Sequence, residues 1–462
     1  MEPATNLISV NRLDVFSKTP LAFAWANDLD ETWGLELYTS YMLSTRPSTG
    51  FAENNSKFSL VDYVESFRKL FKSLKTQGFD PSISAIPATQ IGITDGSHRL
   101  AASLVLGKQV KRAESSELDH NYGFRFMQSV NFPENLIEST VLEFLEYAKN
   151  CTVFCAMGVT PKLASNIQKY LSDSDFNIVY IKSLILSRIG QRRLMKVLYG
   201  SNNWWSSELY EILSVERFSD SLPSYFFFVI SKSIEEEITF KNKIRKLFFD
   251  DFSYKKFHST DNREESIRLS ESILNKNSLV FLNEAPIESE RRLIELIDDH
   301  PYLSTLSSKN FAVDGSANLE IFGIRKAKDL DFIEIEHVFS EKPTASPSHN
   351  SEYKGLPINP TSLIIDPRNF ATIEGYKFVN IPQTISFKAH RSEQKDLLDI
   401  TNLCNKNVSE TIYNNYGRNR ELKYLRLKTI VRRRINILIS PLPNEIQVII
   451  RKIYVKIRDF LF

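Results

Sequence analysis

The stretch "VDGSANLEIFGIRKAKDLDFIEIE", residues 313 to 336, poses a problem of charge. It reads as the end of a strand, a Gly-Ser turn, an irregular stretch and a second strand that carries Asp-Leu-Asp. Alternation with a period of two puts Asp329 and Asp331 on one face of that strand and sends Leu330 and Phe332 to the other. Two carboxylates so placed repel one another, and burying them is costly unless a cation neutralises them. Hard divalent ions such as Mg²⁺ (or Mn²⁺) take carboxylate oxygens together with substrate phosphates, so the stretch predicts a metal site formed by Asp329 and Asp331.

Twelve residues separate Ser316 from Asp329, and Asp329-Leu330-Asp331-Phe332 alternates acid with apolar residue. This arrangement resembles the signature of the DNA polymerase β nucleotidyltransferase superfamily, in which a Gly-Ser turn precedes an acid-x-acid strand by about that interval. The physical roles are consistent with the resemblance: Gly315 lets the backbone approach a triphosphate, Ser316 offers a hydroxyl to phosphate oxygens, and the carboxylates hold the bridging metal. The superfamily adds a third carboxylate from a neighbouring strand, and Asp366, at the end of the apolar "SLIID", is the candidate, with Glu334 and Glu336 as competitors. Downstream, "FKAHRSEQKDLLDI" places Lys388, Arg391, Lys395, Asp396 and Asp399 on one expected helix. It resembles the Lys-x-x-Arg-x-x-x-Lys-Asp-x-x-Asp helix of abortive-infection-type and minimal nucleotidyltransferases. That resemblance implies that Lys388, Arg391 and Lys395, at spacings of three and four, turn toward the nucleotide phosphates.

A second turn, "ITDGSHRLAASLVLG" at residues 93 to 107, resembles the Asp-Gly-x-His-Arg turn of the ParB/sulfiredoxin superfamily, whose members bind nucleotide phosphates there. It implies a second phosphate site at Asp95, Gly96, Ser97, His98 and Arg99, at a helix start whose free N–H groups attract anions. Sulfiredoxins need a cysteine in this turn and this one has none, so their redox chemistry does not carry over. The competing reading is structural, with Arg99 paired to an acidic neighbour and His98 satisfied in the core. His258, His300, His337 and His349 have no metal-ligand spacing, and Trp204-Trp205 and "YFFFVI" read as core.

Farther out, residues 58 to 78 show apolar positions at helical spacing with Gly78 as a stop. From about 135 to 235 helices alternate with apolar runs, which predicts a parallel or mixed α/β layer. Residues 235 to 299 read as mainly helical, with Asp261 or Thr260 capping one helix. The expected fold class is therefore α/β (α+β) and multidomain. Residues 1–130 form the ParB/sulfiredoxin-like module, 131–240 a central α/β region, 241–420 a helical lead-in and nucleotidyltransferase domain with a mixed sheet, and 421–462 a basic amphipathic tail.

The 462 residues carry a net charge of only +2, but from Arg418 onward twelve Lys/Arg face Glu421, Glu445 and Asp459. The acidic remainder makes nucleic acid an unlikely partner, and the tail is expected to meet an anionic membrane surface or an acidic partner. Three cysteines, Cys151, Cys155 and Cys404, without Cys-x-x-Cys spacing suggest a reducing cytoplasm, with peripheral membrane attachment through the tail. The expected activity is Mg²⁺-dependent transfer of a nucleoside monophosphate from a nucleoside triphosphate, ATP among them, to an acceptor hydroxyl or phosphate. The acceptor is unidentified, with surface-glycan or lipid-linked precursors favoured by context. The alternatives are an RNA- or protein-modifying toxin or regulator of the same fold, and a ParB-like DNA-binding or partition protein.

Overall fold

The computed structural model describes residues 1–45, 59–80, 85–117, 120–174, 176–200, 209–218, 222–231, 233–250, 253–335, 348–356, 358–405 and 450. The chain is mixed α/β, rich in helix, with several small sheets, and it divides into two units, Met1–Asn380 and Ile381–Phe462. The expected basic tail, Glu336, His337 and Trp204-Trp205 lie outside the described residues, Ile450 of the tail excepted. Among the described residues no helix is long and apolar enough to cross a membrane.

The first unit begins with two small sheets. Strand β1 (Glu2–Pro3) pairs antiparallel with β3 (Gln109–Val110), and β2 (Ile86–Ala88) pairs parallel with β4 (Arg112–Glu114). Helix Leu60–Gln77 starts where the sequence predicts, because the Ser59 hydroxyl accepts from the Asp62 N–H while the Asp62 carboxylate accepts from the Ser59 N–H. It buries Tyr63, Phe67, Phe71 and Leu74 and ends at Gly78, whose φ of 81° suits a residue without a side chain.

The central region is a four-stranded sheet in the order β6-β7-β5-β8, formed by β5 (Cys151–Ala156), β6 (Asn177–Leu184), β7 (Ser224–Ile230) and β8 (Phe257–Ser259). Every neighbouring pair is antiparallel, where a parallel or mixed layer was expected. The helix Pro161–Ser172 does join two strands of the same direction, β5 and β6, but β7 lies between them and runs the other way. "YFFFVI" supplies that inserted strand, and Phe226, Phe227 and Phe228 are fully buried, as expected of core. Helix Arg263–Leu274 is capped by Asn262, whose side chain accepts from the Glu265 N–H at 2.8 Å, and not by Asp261 or Thr260. Thr260 is committed elsewhere, accepting from Val153 N–H on β5.

One apolar cluster runs from Ala4 through Phe144 and Val153 to Leu282, so the expected boundary at 130/131 passes through a shared core. A second covers the other face of the central sheet around Phe154, Phe227 and Phe240. The third lies under the last sheet of this unit, in the order β10-β9-β12-β11, and includes Phe311, Val313, Phe332 and Phe378. Here β9 (Phe311–Val313) pairs antiparallel with β10 (Phe332–Glu334) and parallel with β12 (Tyr376–Val379), which makes the sheet mixed. Strand β11 (Phe370–Ile373) forms a hairpin with β12. Glu374 and Gly375 at its tip have φ of 50° and 84°, the left-handed pair that a two-residue hairpin turn requires.

The second unit contains helices Ile381–Arg391 and Gln394–Asn405. The single helix expected across "FKAHRSEQKDLLDI" is broken at Ser392, whose φ of 54° is left-handed and cannot continue an α-helix.

Candidate functional site

The chain leaves β9 through Asp314-Gly315-Ser316 and enters the short helix Ala317–Ile321, where Ala317 and Ile321 are buried. Glu320 then fastens the irregular stretch that follows, accepting from Arg292 Nε at 2.7 Å and from the Ala327 N–H at 2.6 Å. Strand β10 begins only at Phe332. Asp329 therefore precedes the strand in an exposed bend, and the alternation that would pair it with Asp331 does not reach it.

The register brings a different carboxylate to Asp331. Phe332 sits opposite Val313, and one step along, the Asp314 N–H donates to the Asp331 carbonyl at 2.9 Å. Asp314 and Asp331 thus face each other at the end of the β9/β10 ladder. Gly315, with φ of 67°, makes room for this: a Cβ there would lie 2.4 Å from Asp331 Oδ2. The glycine admits a side chain, a use different from the phosphate approach expected of it.

Both carboxylates meet His349. Its Nε2 lies 2.9 Å from Asp331 Oδ1 and its Nδ1 3.8 Å from Asp314 Oδ2. Burial disfavours the charged ring, but hydrogen bonds and charge from Asp314 and Asp331 outweigh burial and raise its pKa to about 9. The two acidic side chains thus favour the charged form of the ring between them. Tyr353 donates its hydroxyl to Asp314 Oδ2 at 2.8 Å. Asp314 Oδ1 is buried with no hydrogen-bond partner among the described residues.

An orphaned buried carboxylate oxygen beside a second carboxylate is the donor chemistry that a hard divalent cation takes, so Asp314 and Asp331 fit a Mg²⁺ ion. As the side chains stand, no group of three or more His, Cys, Asp or Glu among the described residues is disposed to hold a metal. Sequence reasoning missed Asp314, His349 and Tyr353. Asp314 was within reach, since it directly precedes the Gly-Ser turn; His349 and Tyr353 join through tertiary contact alone.

The other expected residues have definite places. Asp366 is not on a strand, because "SLIID" closes helix Pro360–Ile365 and Asp366 is its C-cap. Its carboxylate is held by Arg368, with Nε at 2.9 Å from Oδ1 and Nη2 at 2.7 Å from Oδ2, so it functions as half of an ion pair. Glu334 is buried and accepts from the Tyr302 hydroxyl. Ser316 is buried at the turn.

In the second unit the basic residues are matched by acids of their own motif. Lys388 is buried between Asp396 at 3.1 Å and Asp399 at 2.9 Å, and Arg391 Nη2 lies 2.8 Å from Asp396. Burial disfavours the Asp396 carboxylate, but Arg391 and Lys388 outweigh it and hold its pKa below the ordinary value. Lys395, on the second helix, is exposed and pairs with Glu393 at 3.1 Å. The single face that was to present Lys388, Arg391 and Lys395 is divided by the break at Ser392.

At the N-terminal turn Gly96 adopts φ of 84° and starts helix Ser97–Val105, as the sequence implies. His98 Nε2 lies 2.8 Å from the Tyr38 hydroxyl, and its ring meets the Phe67 ring edge-on at 4.8 Å. Arg99 crosses the turn, donating to the Ala85 carbonyl at 3.1 Å and approaching Asp95 at 3.7 Å. These contacts are those of the structural reading of the turn; Asp95 is exposed and Ser97 partly so. The segment before it is fastened by Arg12, which donates to the Ile93 carbonyl and pairs with Asp14 at 2.8 Å. Lys18 completes a buried trio, 3.3 Å from Asp14. No protein family's sequence profile matches this chain, and neither a curated protein nor a solved structure matches it.

Proposed function

We propose that the chain is a Mg²⁺-dependent nucleotidyltransferase, with its reaction centre at the end of β9 and β10. The observation that carries this reading is the juxtaposition of Asp314 and Asp331 beside the Gly315-Ser316 turn, with one carboxylate oxygen left unpartnered. Asp331 and Asp314 hold the metal, and Asp329, exposed two residues away, is free to swing toward it. The metal, when bound, supplies charge neutralisation to a triphosphate and to the departing pyrophosphate. Ser316 and the turn's N–H groups orient phosphate oxygens, while Tyr353 and His349 fix the carboxylates through hydrogen bonds.

The test is to screen the four nucleoside triphosphates with Mg²⁺ for pyrophosphate release and for thermal stabilisation of the full chain, alongside Asp331→Asn and Asp314→Asn. Stabilisation by at least one nucleotide with Mg²⁺, lost in both variants, is expected. A wild type indifferent to every nucleotide with Mg²⁺ rejects the reading.

A further inference from the structure

A cavity of about 340 Å³ lies within the first unit, and neither Gly315 nor Ser316, Asp314 nor Asp331 lines it. Helices Thr32–Thr45, Glu134–Tyr147 and Arg263–Leu274 and the hairpin strands β11 and β12 contribute its walls, with Trp33, Leu142, Ile267 and Phe370 as apolar surface. Its charge is unbalanced: Asp30, Glu143, Glu146 and Glu271 line it against Lys309 and Lys377.

Both lysines act on Glu271 through charge, yet each makes its close contacts elsewhere. Lys309 is committed to Glu146. Lys377 Nζ donates to the main-chain carbonyls of Ile364 at 2.8 Å and Lys309 at 3.1 Å, and lies over the Phe370 ring. Glu143 accepts from the Thr19 hydroxyl at 3.0 Å. Glu271 has neither a hydrogen bond nor an ion pair among the described residues. It is half-buried and lines the cavity. Leaving a carboxyl unpaired in such a place costs free energy, which a cation bound there would recover.

From this geometry we propose that the cavity binds a small organic cation, an aromatic group carrying one ammonium, with the ammonium on Glu271 and the ring against Trp33, Ile267 and Phe370. The volume suits a compact ligand, and apolar walls with a few polar and charged groups are the usual composition of a small-molecule site. The cavity's electrostatics agree: burial and Glu146 raise the Glu271 pKa to about 7, while burial lowers that of Lys377 to about 8, so an added cation meets a carboxyl in need of one and an amine that readily gives up its charge.

Phenethylamine, phenethyl alcohol and phenylpropionate, which share a ring and differ in charge, are titrated calorimetrically into the full chain. Phenethylamine is expected to bind, and phenethyl alcohol more weakly by about tenfold or more, the worth of a charge-assisted hydrogen bond. Phenylpropionate should not bind. Glu271→Gln should erase the preference for the amine, and Ile267→Trp, which fills the space, should abolish binding of both amine and alcohol. Equal affinity for amine and alcohol, absence of binding by all three at millimolar concentration, or an amine preference that survives Glu271→Gln overturns the proposal. Should either variant fail to fold, the wild-type comparison of amine with alcohol decides alone.

Discussion

Replacing Gly315 by alanine tests the arrangement of Asp314 and Asp331 directly. An alanine Cβ would come 2.4 Å from Asp331 Oδ2 and 3.1 Å from Asp331 Cβ, with the backbone at φ of 67°. Holding alanine in the left-handed region costs about 1–2 kcal/mol. Relieving the 2.4 Å contact requires the Asp331 carboxylate to move, which breaks its 2.9 Å contact with His349. Because both side chains of that pair are partly solvent-accessible, the loss is worth about 1 kcal/mol and not the larger figure for a fully buried pair. The expected destabilisation is about 2–3 kcal/mol, read from urea unfolding at constant m-value. In an Asp331→Ala background the carboxylate is already gone and mainly the backbone strain remains, so the double-mutant cycle should show a coupling of about 1 kcal/mol. Additivity of the two substitutions within about 0.3–0.5 kcal/mol would refute the close approach of Asp331 to Gly315.

Asp331→Asn should abolish stabilisation by Mg²⁺ with nucleoside triphosphate while melting close to wild type in EDTA; a variant that melts far lower in EDTA would mark Asp331 as a purely structural partner of His349. Lys388→Met takes away the buried cation between Asp396 and Asp399, of which Asp396 keeps Arg391, and should cost about 3–5 kcal/mol, seen as earlier thermal loss of helix. Asp14 is held well below the usual carboxyl range because Lys18 and Arg12 outweigh the effect of burial. Its contribution is thus present above the unfolded pKa of about 4 and lost as pH falls, and Asp14→Asn should lower stability at pH 7 and flatten its decline toward acid. Glu143 and Glu271, both raised to about 7 chiefly by burial, hold protons in the folded chain that the unfolded chain releases. Stability should therefore fall as pH rises from about 4.5 to 7, and the slope measured by denaturation at a series of pH values should diminish in Glu143→Gln and Glu271→Gln.

Local chemistry was legible where it was sufficient. Gly78 marks the end of one helix and Gly96 the start of another, because left-handed turns are decided by neighbours in the chain. The Gly-Ser turn after the strand was legible for the same reason, although the short helix Ala317–Ile321 that follows it lies in what the sequence reads as an irregular stretch. What escaped depends on pairing across distance. The register that sets Asp314 against Asp331 is fixed by Phe332 and Val313 in a common core, and period-two alternation extended one residue pair too far toward Asp329. His349 reaches the carboxylates from a separate segment, and Arg368 claims Asp366 from two residues away through a capping bend that the apolar "SLIID" concealed. At Ser392 one backbone angle divides a motif whose spacing alone implies a continuous helix.

The insertion of β7 between β5 and β6 has a bearing on how the chain is made. The two strands that flank β7, β5 and β6, leave the ribosome before β7 exists, and since they do not pair with each other in the final sheet, the edges that β7 joins stay open until Ile230 has been synthesised. At translation rates of about 5–20 residues per second the interval lasts seconds, long compared with the collapse of a chain this size. During it Val153, Cys155, Val179 and Tyr180 have no Phe226–Phe228 to cover them. A chaperone that shields extended apolar segments has its opportunity there, and chains terminated before residue 224 are the ones most exposed to strand-to-strand association with their own kind.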